Sequence, residues 1–356
     1  MERPNGYRRY PYRRTLLVTY PRTASNLLVR MLSLEQQENA ISNEKGGYFF
    51  WDSFIKGRTT NSTYTPIEDW TTQQTEEMQQ VFQDDFNRWE STSRLAESQG
   101  KLFFAKEHIQ WFADPAAISD YLSHSESHTP SPVNIKIPTS YGTPQEFSPN
   151  NLTIFPDHYL ETWRLTFLIR HPALAFPSFY RAMRELEKEE FAQPHEMQPL
   201  MELNATLRWT RLLYDWCRQH QGQSNTGCAR DTRCPLVLDA QDIIHHPDIL
   251  ARYCKLIGLN PIYLRSEWNV SNQKLENGTM EKTSHRSPEK VMKSTLENSS
   301  RVLKNRTPII VDIEVERKGW DQEFGVDFGE QMEKWVREAM PDYNYLRARR
   351  LRVGDT

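Results

Sequence analysis

Four short apolar runs punctuate the chain: TLLVTY at 15–20, LFFAKE at 102–107, LTFLIR at 165–170 and PLVLDA at 235–240. None alternates apolar with polar positions, so each fits a strand buried on both faces, as in a parallel sheet covered by helices. Helical periodicity follows three of them, over residues 24–38, 172–189 and 247–257. The last of these has Pro247 in its first turn and Gly258 at its stop. A further helix is expected over 203–220, where Leu207, Leu213, Tyr214 and Trp216 read as core positions. The alternation predicts the α/β class, with a central parallel β-sheet flanked by helices.

Between these elements the periodicity fades. Residues 40–75 are polar and aromatic, 120–160 hold six prolines, and 270–308 are charged and rich in Ser and Thr. They are expected to be excursions over the sheet, giving a single domain over 1–356 with insertions at about 40–100, 120–160 and 270–308. The aromatic cluster Tyr48, Phe49, Phe50, Trp51 and Phe54 fits either core or the lining of an apolar pocket.

Composition narrows the function. The 356 residues are 37% hydrophobic and 12% aromatic, enough for a substantial core. With 44 basic and 47 acidic residues the net charge is -3, which supplies no global field for nucleic acid or an anionic membrane. Any anion site must be local. Cys217, Cys228, Cys234 and Cys254 are too few for a disulfide framework and lack metal-ligand spacing, so reduced thiols are expected, with Cys228 and Cys234 the pair able to bridge in an oxidising compartment. The first apolar run is too short for a secretory or membrane segment, which points to a cytoplasmic protein. The Asn-x-Ser/Thr triplets at Asn61, Asn151 and Asn277 then carry no meaning as glycosylation sites.

The candidate chemistry begins at YPRTASN, residues 20–26, between the first strand and its helix. A helix N-terminus beyond the carboxyl end of a parallel strand exposes unpaired N–H groups and positive dipole. Small residues admit an anion, Thr23 and Ser25 add hydroxyls and Arg22 adds charge. The segment also reads as a plain turn, with Pro21 ending the strand and Ser25 or Asn26 capping the helix. It lacks the GxxxxGK[ST] pattern of nucleotide triphosphatases.

Tyr20-Pro21-Arg22-Thr23-Ala24-Ser25-Asn26-Leu27 resembles the 5′-phosphosulfate loop of cytosolic sulfotransferases that use 3′-phosphoadenosine 5′-phosphosulfate, a P-loop-like family. That loop reads Tyr-Pro-Lys-Ser-Gly-Thr-Thr-Trp. Here arginine replaces the lysine, alanine the glycine, asparagine a threonine and leucine the adenine-stacking tryptophan. Lys106-Glu107-His108 resembles the family's Lys-x-His, in which the histidine takes the acceptor's proton; free imidazole near neutral pH suits that role. Arg170 and Ser178 match its arginine and serine for the 3′-phosphate, and Arg317-Lys318-Gly319 its late loop over the same phosphate. Ala240 stands where many members have a tyrosine touching adenine.

The resemblance implies a P-loop-like sulfotransferase fold and transfer to a hydroxyl of a small-molecule acceptor, such as a phenol, alcohol or polyketide-like metabolite of secondary metabolism. His108 would be the base, and Arg22 and Lys106 would stabilise charge. Residues Arg22, Thr23, Ala24, Ser25, Asn26, Leu27, Arg170, Ser178, Arg317, Lys318 and Gly319 would hold the donor and its product, adenosine 3′,5′-bisphosphate, without a metal. No nucleic-acid or membrane partner is implied, and the family often forms homodimers. The alternatives are a noncatalytic nucleotide- or anion-binding relative and an atypical phosphotransferase of the same fold, which would need Mg²⁺ and a carboxylate to hold it.

Overall fold

Strand β1 (Arg14–Thr19) lies at the centre of a five-stranded, all-parallel sheet in this computed structural model. Described are residues 14–44, 46–125, 129–142, 145–220, 235–268, 288, 292, 299–304 and 307–354. The other strands are β2 (Ala40–Ile41), β3 (Leu102–His108), β4 (Arg164–Ile169) and β5 (Leu236–Asp239). Their order is β2-β3-β1-β4-β5. The four apolar runs are the four long strands, and only the two-residue edge strand β2 escapes the sequence pattern.

The absence of alternation has its expected cause. Leu16, Val18 and Tyr20 face a large aromatic core, while Leu17 packs on the other face with Leu28 and Leu32 of helix α1 (Ser25–Leu32). Helices α2 (Trp51–Thr59), α3 (Thr72–Ser98), α4 (Pro115–Leu122), α5 (Asp157–Leu160), α6 (Pro172–Lys188), α7 (Met197–Asn204) and α8 (Arg208–His220) follow. After β5 come α9 (Ala240–His245), α10 (Pro247–Ile257), α11 (Ile313–Phe324) and α12 (Val326–Ala348).

Several expectations are revised. The helix expected over 24–38 ends at Leu32, because Ser33 adopts a left-handed conformation and a 3₁₀ turn follows. The helix expected over 203–220 is two helices, since the Thr206 hydroxyl accepts from Arg208 N and caps α8 afresh. Residues 40–75, expected as an excursion, reach into the core: Phe49 and Phe50 are buried, and the 27-residue α3 that follows packs Phe82 and Trp89 against them. Its start is a capping box, Thr71 with Gln74, legible as Thr-x-x-Gln. Between 120 and 160, Val133, Ile135, Ile154 and Phe155 are likewise buried in that core. Cys217 and Cys254 are both buried in the core; Cys228, Cys234, Asn277 and most of 270–308 lie outside the described residues.

The strand order positions the site. With β3 on one side of β1 and β4 on the other, the loop after β1 lies between the ends of those strands, and Thr19 pairs in register with His108. Among the described residues no helix is long and apolar enough to cross a membrane.

Candidate active site

The turn from β1 to α1 has left-handed backbone at Arg22 (φ 68°) and Ala24 (φ 65°). Non-glycine residues avoid this region, and alternation of backbone hand turns successive N–H groups into one concavity, an arrangement that binds anions. Ala24 is the N-cap of α1 and no side chain caps that helix. The expected caps are engaged elsewhere: Ser25 Oγ lies 3.5 Å from Tyr48 Oη, and Asn26 Oδ1 accepts from Lys106 Nζ at 2.6 Å. The plain-turn reading therefore fails on its capping, and the first amides of α1 keep no side-chain acceptor.

A cavity of about 580 Å³ opens over this turn. Arg22, Ala24, Ser25, Asn26, Leu27, His108, Arg170 and Ser178 all line it, together with Tyr48, Leu174, Ile244 and Glu316. Two expected residues stand behind its wall. Thr23 is fully buried with its hydroxyl donating to Tyr20 O, and Lys106 is buried with its ammonium on Asn26 and 3.8 Å from the Tyr48 ring centroid.

Arg317, Lys318 and Gly319 do not reach the cavity. The expected loop is the middle of α11, which Asp312 caps by accepting from Glu314 N and Val315 N. Arg317 pairs there with Asp321 at 3.1 Å and Glu333 at 3.7 Å, so its charge is already matched, and Glu316 is the cavity-lining residue of that turn.

On the β4 side, Tyr20 and Arg170 clamp one another: Arg170 N donates to Tyr20 Oη at 3.0 Å, and that hydroxyl donates to Arg170 O. Arg170 Nη1 donates to Arg22 O at 2.9 Å, and Arg22 Nε donates to Ser178 Oγ at 3.0 Å. The resemblance assigned these three residues to two parts of a donor, and the fold joins them. Among the described residues no carboxylate pairs with either guanidinium, and Arg170 Nε is buried with no partner. Burial, and then the neighbouring Arg170, brings the Arg22 pKa down to about 10. Burial also lowers that of Arg170. Two cations held together, with the Asp239 carboxylate acting on Arg170 but pairing with neither, form a site for a multiply charged anion.

On the β3 side, His108 is buried between Thr19 and Tyr48. Thr19 Oγ1 donates to Glu107 O at 3.0 Å, so at His108 Nδ1, 2.7 Å away, it accepts. The proton therefore sits on Nδ1 and the lone pair on Nε2, which is 3.0 Å from Tyr48 Oη. Burial, then the charges of Lys106 and Arg22, hold the His108 pKa well below its ordinary value, so the ring is neutral at pH 7. Tyr48 figured in the sequence as one aromatic among five, and Thr19 as an ordinary strand residue. The signal for Thr19 was parallel pairing with Lys-x-His; Tyr48 left none beyond its place in the aromatic cluster.

No family model matches the chain. It is 38% identical over 345 residues to Sulfotransferase ppzF of Metarhizium rileyi (strain RCEF 4871), covering 96% of each chain. To Sulfotransferase ppzF of Metarhizium majus (strain ARSEF 297) it is 38% identical over 346 residues, 96% of this chain and 97% of that one. Among solved structures it aligns with the sulfotransferase domain from the Synechococcus PCC 7002 olefin synthase at a TM-score of 0.35 and 10% identity, over 91% of this chain and 98% of that domain, too weak to carry an assignment. Identity across nearly the full length of both ppzF relatives does carry it: the chain belongs to the sulfotransferases, enzymes that transfer a sulfate group.

Proposed function

We propose that the enzyme moves the sulfuryl group of 3′-phosphoadenosine 5′-phosphosulfate to a hydroxyl of a small-molecule acceptor, with His108 as general base. The observation that carries this is the pair Arg22 and Arg170: two guanidinium groups that, among the described residues, form no ion pair with a carboxylate, one with an unpartnered buried Nε, in the cavity that holds a neutral histidine. Those residues fit a phosphosulfate donor. The donor supplies an activated sulfuryl group on a phosphate leaving group. Arg22 and the N-terminal amides of α1 bind its anionic end, while Arg170 and Ser178 favour a 3′-phosphorylated nucleotide over ATP. Lys106 acts through Asn26 and by keeping His108 neutral.

His108 takes the proton of the acceptor hydroxyl, and Thr19 fixes the tautomer that lets Nε2 accept it. Positioning and electrostatics provide the rest, as in phosphoryl transfer. The cavity size suits a small molecule, and a phenol, alcohol or polyketide-like metabolite is the class proposed.

Calorimetry with adenosine 3′,5′-bisphosphate, and with ATP and Mg²⁺ for comparison, tests the donor. Binding is expected to be metal-independent and to favour the bisphosphate. Arg170→Ala should weaken it by about 1.5–3 kcal/mol, as for a lost charged hydrogen bond. Equal preference for the two nucleotides in the parent and in Arg170→Ala would remove Arg170 from this role.

A further inference from the structure

The basic nitrogen of His108, a cavity-lining residue, already has a partner. Its one in-plane lone pair at Nε2 is occupied by the Tyr48 hydroxyl at 3.0 Å, while Nδ1 is committed to Thr19. Tyr48 lines the cavity beside His108, so an acceptor hydroxyl there can hydrogen-bond to the phenol that already holds Nε2. Tyr48 Oη also lies 3.5 Å from Ser25 Oγ, on the first turn of α1.

Tyr48 is held there by a dedicated scaffold. Lys106 N donates to Gly47 O at 3.0 Å, and Gly47 N donates to Asn43 Oδ1 at 2.8 Å. Asn43 Nδ2 donates to Tyr48 O, and the buried Glu107 carboxyl accepts from Phe49 N and Phe50 N. Gly47 has φ +96°, and a Cβ there would lie 3.0 Å from Lys106 Cβ and N, so the segment lies against β3 as closely as a glycine allows. The Lys106 ammonium lies over the Tyr48 ring, 3.8 Å from its centroid, and the Trp111 ring is 4.7 Å away. Swinging this side chain aside would break contacts along its whole length.

We propose that Tyr48 is a catalytic residue that relays the acceptor's proton to His108, a role that rests on the sulfuryl-transfer reading above. The acceptor oxygen forms a bond to sulfur as the bond from sulfur to the donor phosphate breaks, its electron pair leaving with the bisphosphate. The acceptor's proton passes to Tyr48 Oη while the Tyr48 proton moves to His108 Nε2. One proton ends on the imidazole, and Tyr48 is a neutral phenol before and after.

The test uses Tyr48→Phe, which keeps the ring and its packing, beside His108→Ala and the parent. In ¹⁵N spectra of histidine-labelled protein, Tyr48→Phe should move the His108 Nε2 resonance towards that of an unbonded nitrogen; no movement overturns the relay without any assay. Transfer is then measured with 3′-phosphoadenosine 5′-phosphosulfate to phenol and to 4-nitrophenol at pH 8, the second already ionised and needing no base. Tyr48→Phe should lower kcat on phenol about 100-fold, the scale of a lost proton-transfer group, and far less on 4-nitrophenol, with affinity for adenosine 3′,5′-bisphosphate unchanged. Equal losses on both acceptors, or kcat on phenol within about twofold of the parent, would assign Tyr48 to packing and overturn the relay. If His108→Ala is impaired on phenol in that case, the transfer reading stands and the relay alone falls. A fully active His108→Ala overturns both.

Discussion

The two sides of the cavity are built on opposite principles. On the β3 side the side chains around the proposed base are answered within the protein: Thr19 by Glu107 O, His108 by Thr19 and Tyr48, and Lys106 by Asn26. On the β4 side Arg22 donates to Ser178 Oγ and Met292 O and Arg170 to Arg22 O, and among the described residues no carboxylate forms an ion pair with either. The first side is finished before ligand arrives, which favours a chemical step that needs fixed proton positions. The second has two buried cations outside any ion pair among the described residues, so that an anion gains more there than in water.

The largest expected effect comes from removing the base itself. His108→Ala should lower turnover by about 100- to 10,000-fold while calorimetric affinity for adenosine 3′,5′-bisphosphate stays as in the parent. A parallel loss of both would show that the two sides are not separable. Next is Glu107→Ala, which leaves the amides of Phe49 and Phe50 without their acceptor and frees the segment carrying Tyr48. Unfolding free energy should fall by about 2–4 kcal/mol in urea titrations, from two buried donors left unpaired. The anion side should respond in the other direction. Ala24→Gly relieves a left-handed alanine and should raise stability by about 1 kcal/mol. The smallest expected effect is an absence of change. Because the native His108 pKa lies well below 6.5, kcat should stay level as pH falls from 8 through 6.5, where an ordinary histidine would already be half protonated. A midpoint near 6.5 that disappears in His108→Gln would show that the ring is not held neutral.

His171 offers a stability counterpart to that flat profile. Burial, then Arg347, lowers its pKa to about 4. The unfolded chain takes up a proton near pH 6.5 and the native ring does not, so this residue costs nothing above that pH and destabilises progressively as pH falls towards 4. The raised pKa of Asp85, about 6 and chiefly from burial, acts oppositely by binding a proton in the native state first. Comparison with His171→Asn, which retains an N-cap acceptor for Ala173, isolates the histidine contribution: the parent should lose stability relative to the variant across that window.

Much of this was legible in residues alone. Unbroken apolar runs announced four parallel strands, because a strand covered on both faces has no polar positions to alternate with. Local chemistry marked Arg22, His108, Arg170 and Ser178, all of which reach one cavity. The misses share a physical cause. Arg317, Lys318 and Gly319 matched a short pattern, but capping by Asp312 and pairing of Arg317 with Asp321 and Glu333 drew them into a helix. The aromatic stretch after α1 looked like excursion because its partners, on α3 and around Phe155, lie far along the chain.

By itself, then, the sequence determined the class of fold and the identity of the charged groups, since both depend on nearest neighbours: burial pattern along a strand, residue type at a strand end. Tertiary structure decided how those groups act. Only the pairing of β1 with β3 puts Thr19 beside His108 and sets its tautomer, and only the scaffold from Asn43 to Phe50 puts the Tyr48 hydroxyl on its Nε2. A proton's position depends on contacts 60 and 89 residues apart, which no local pattern encodes.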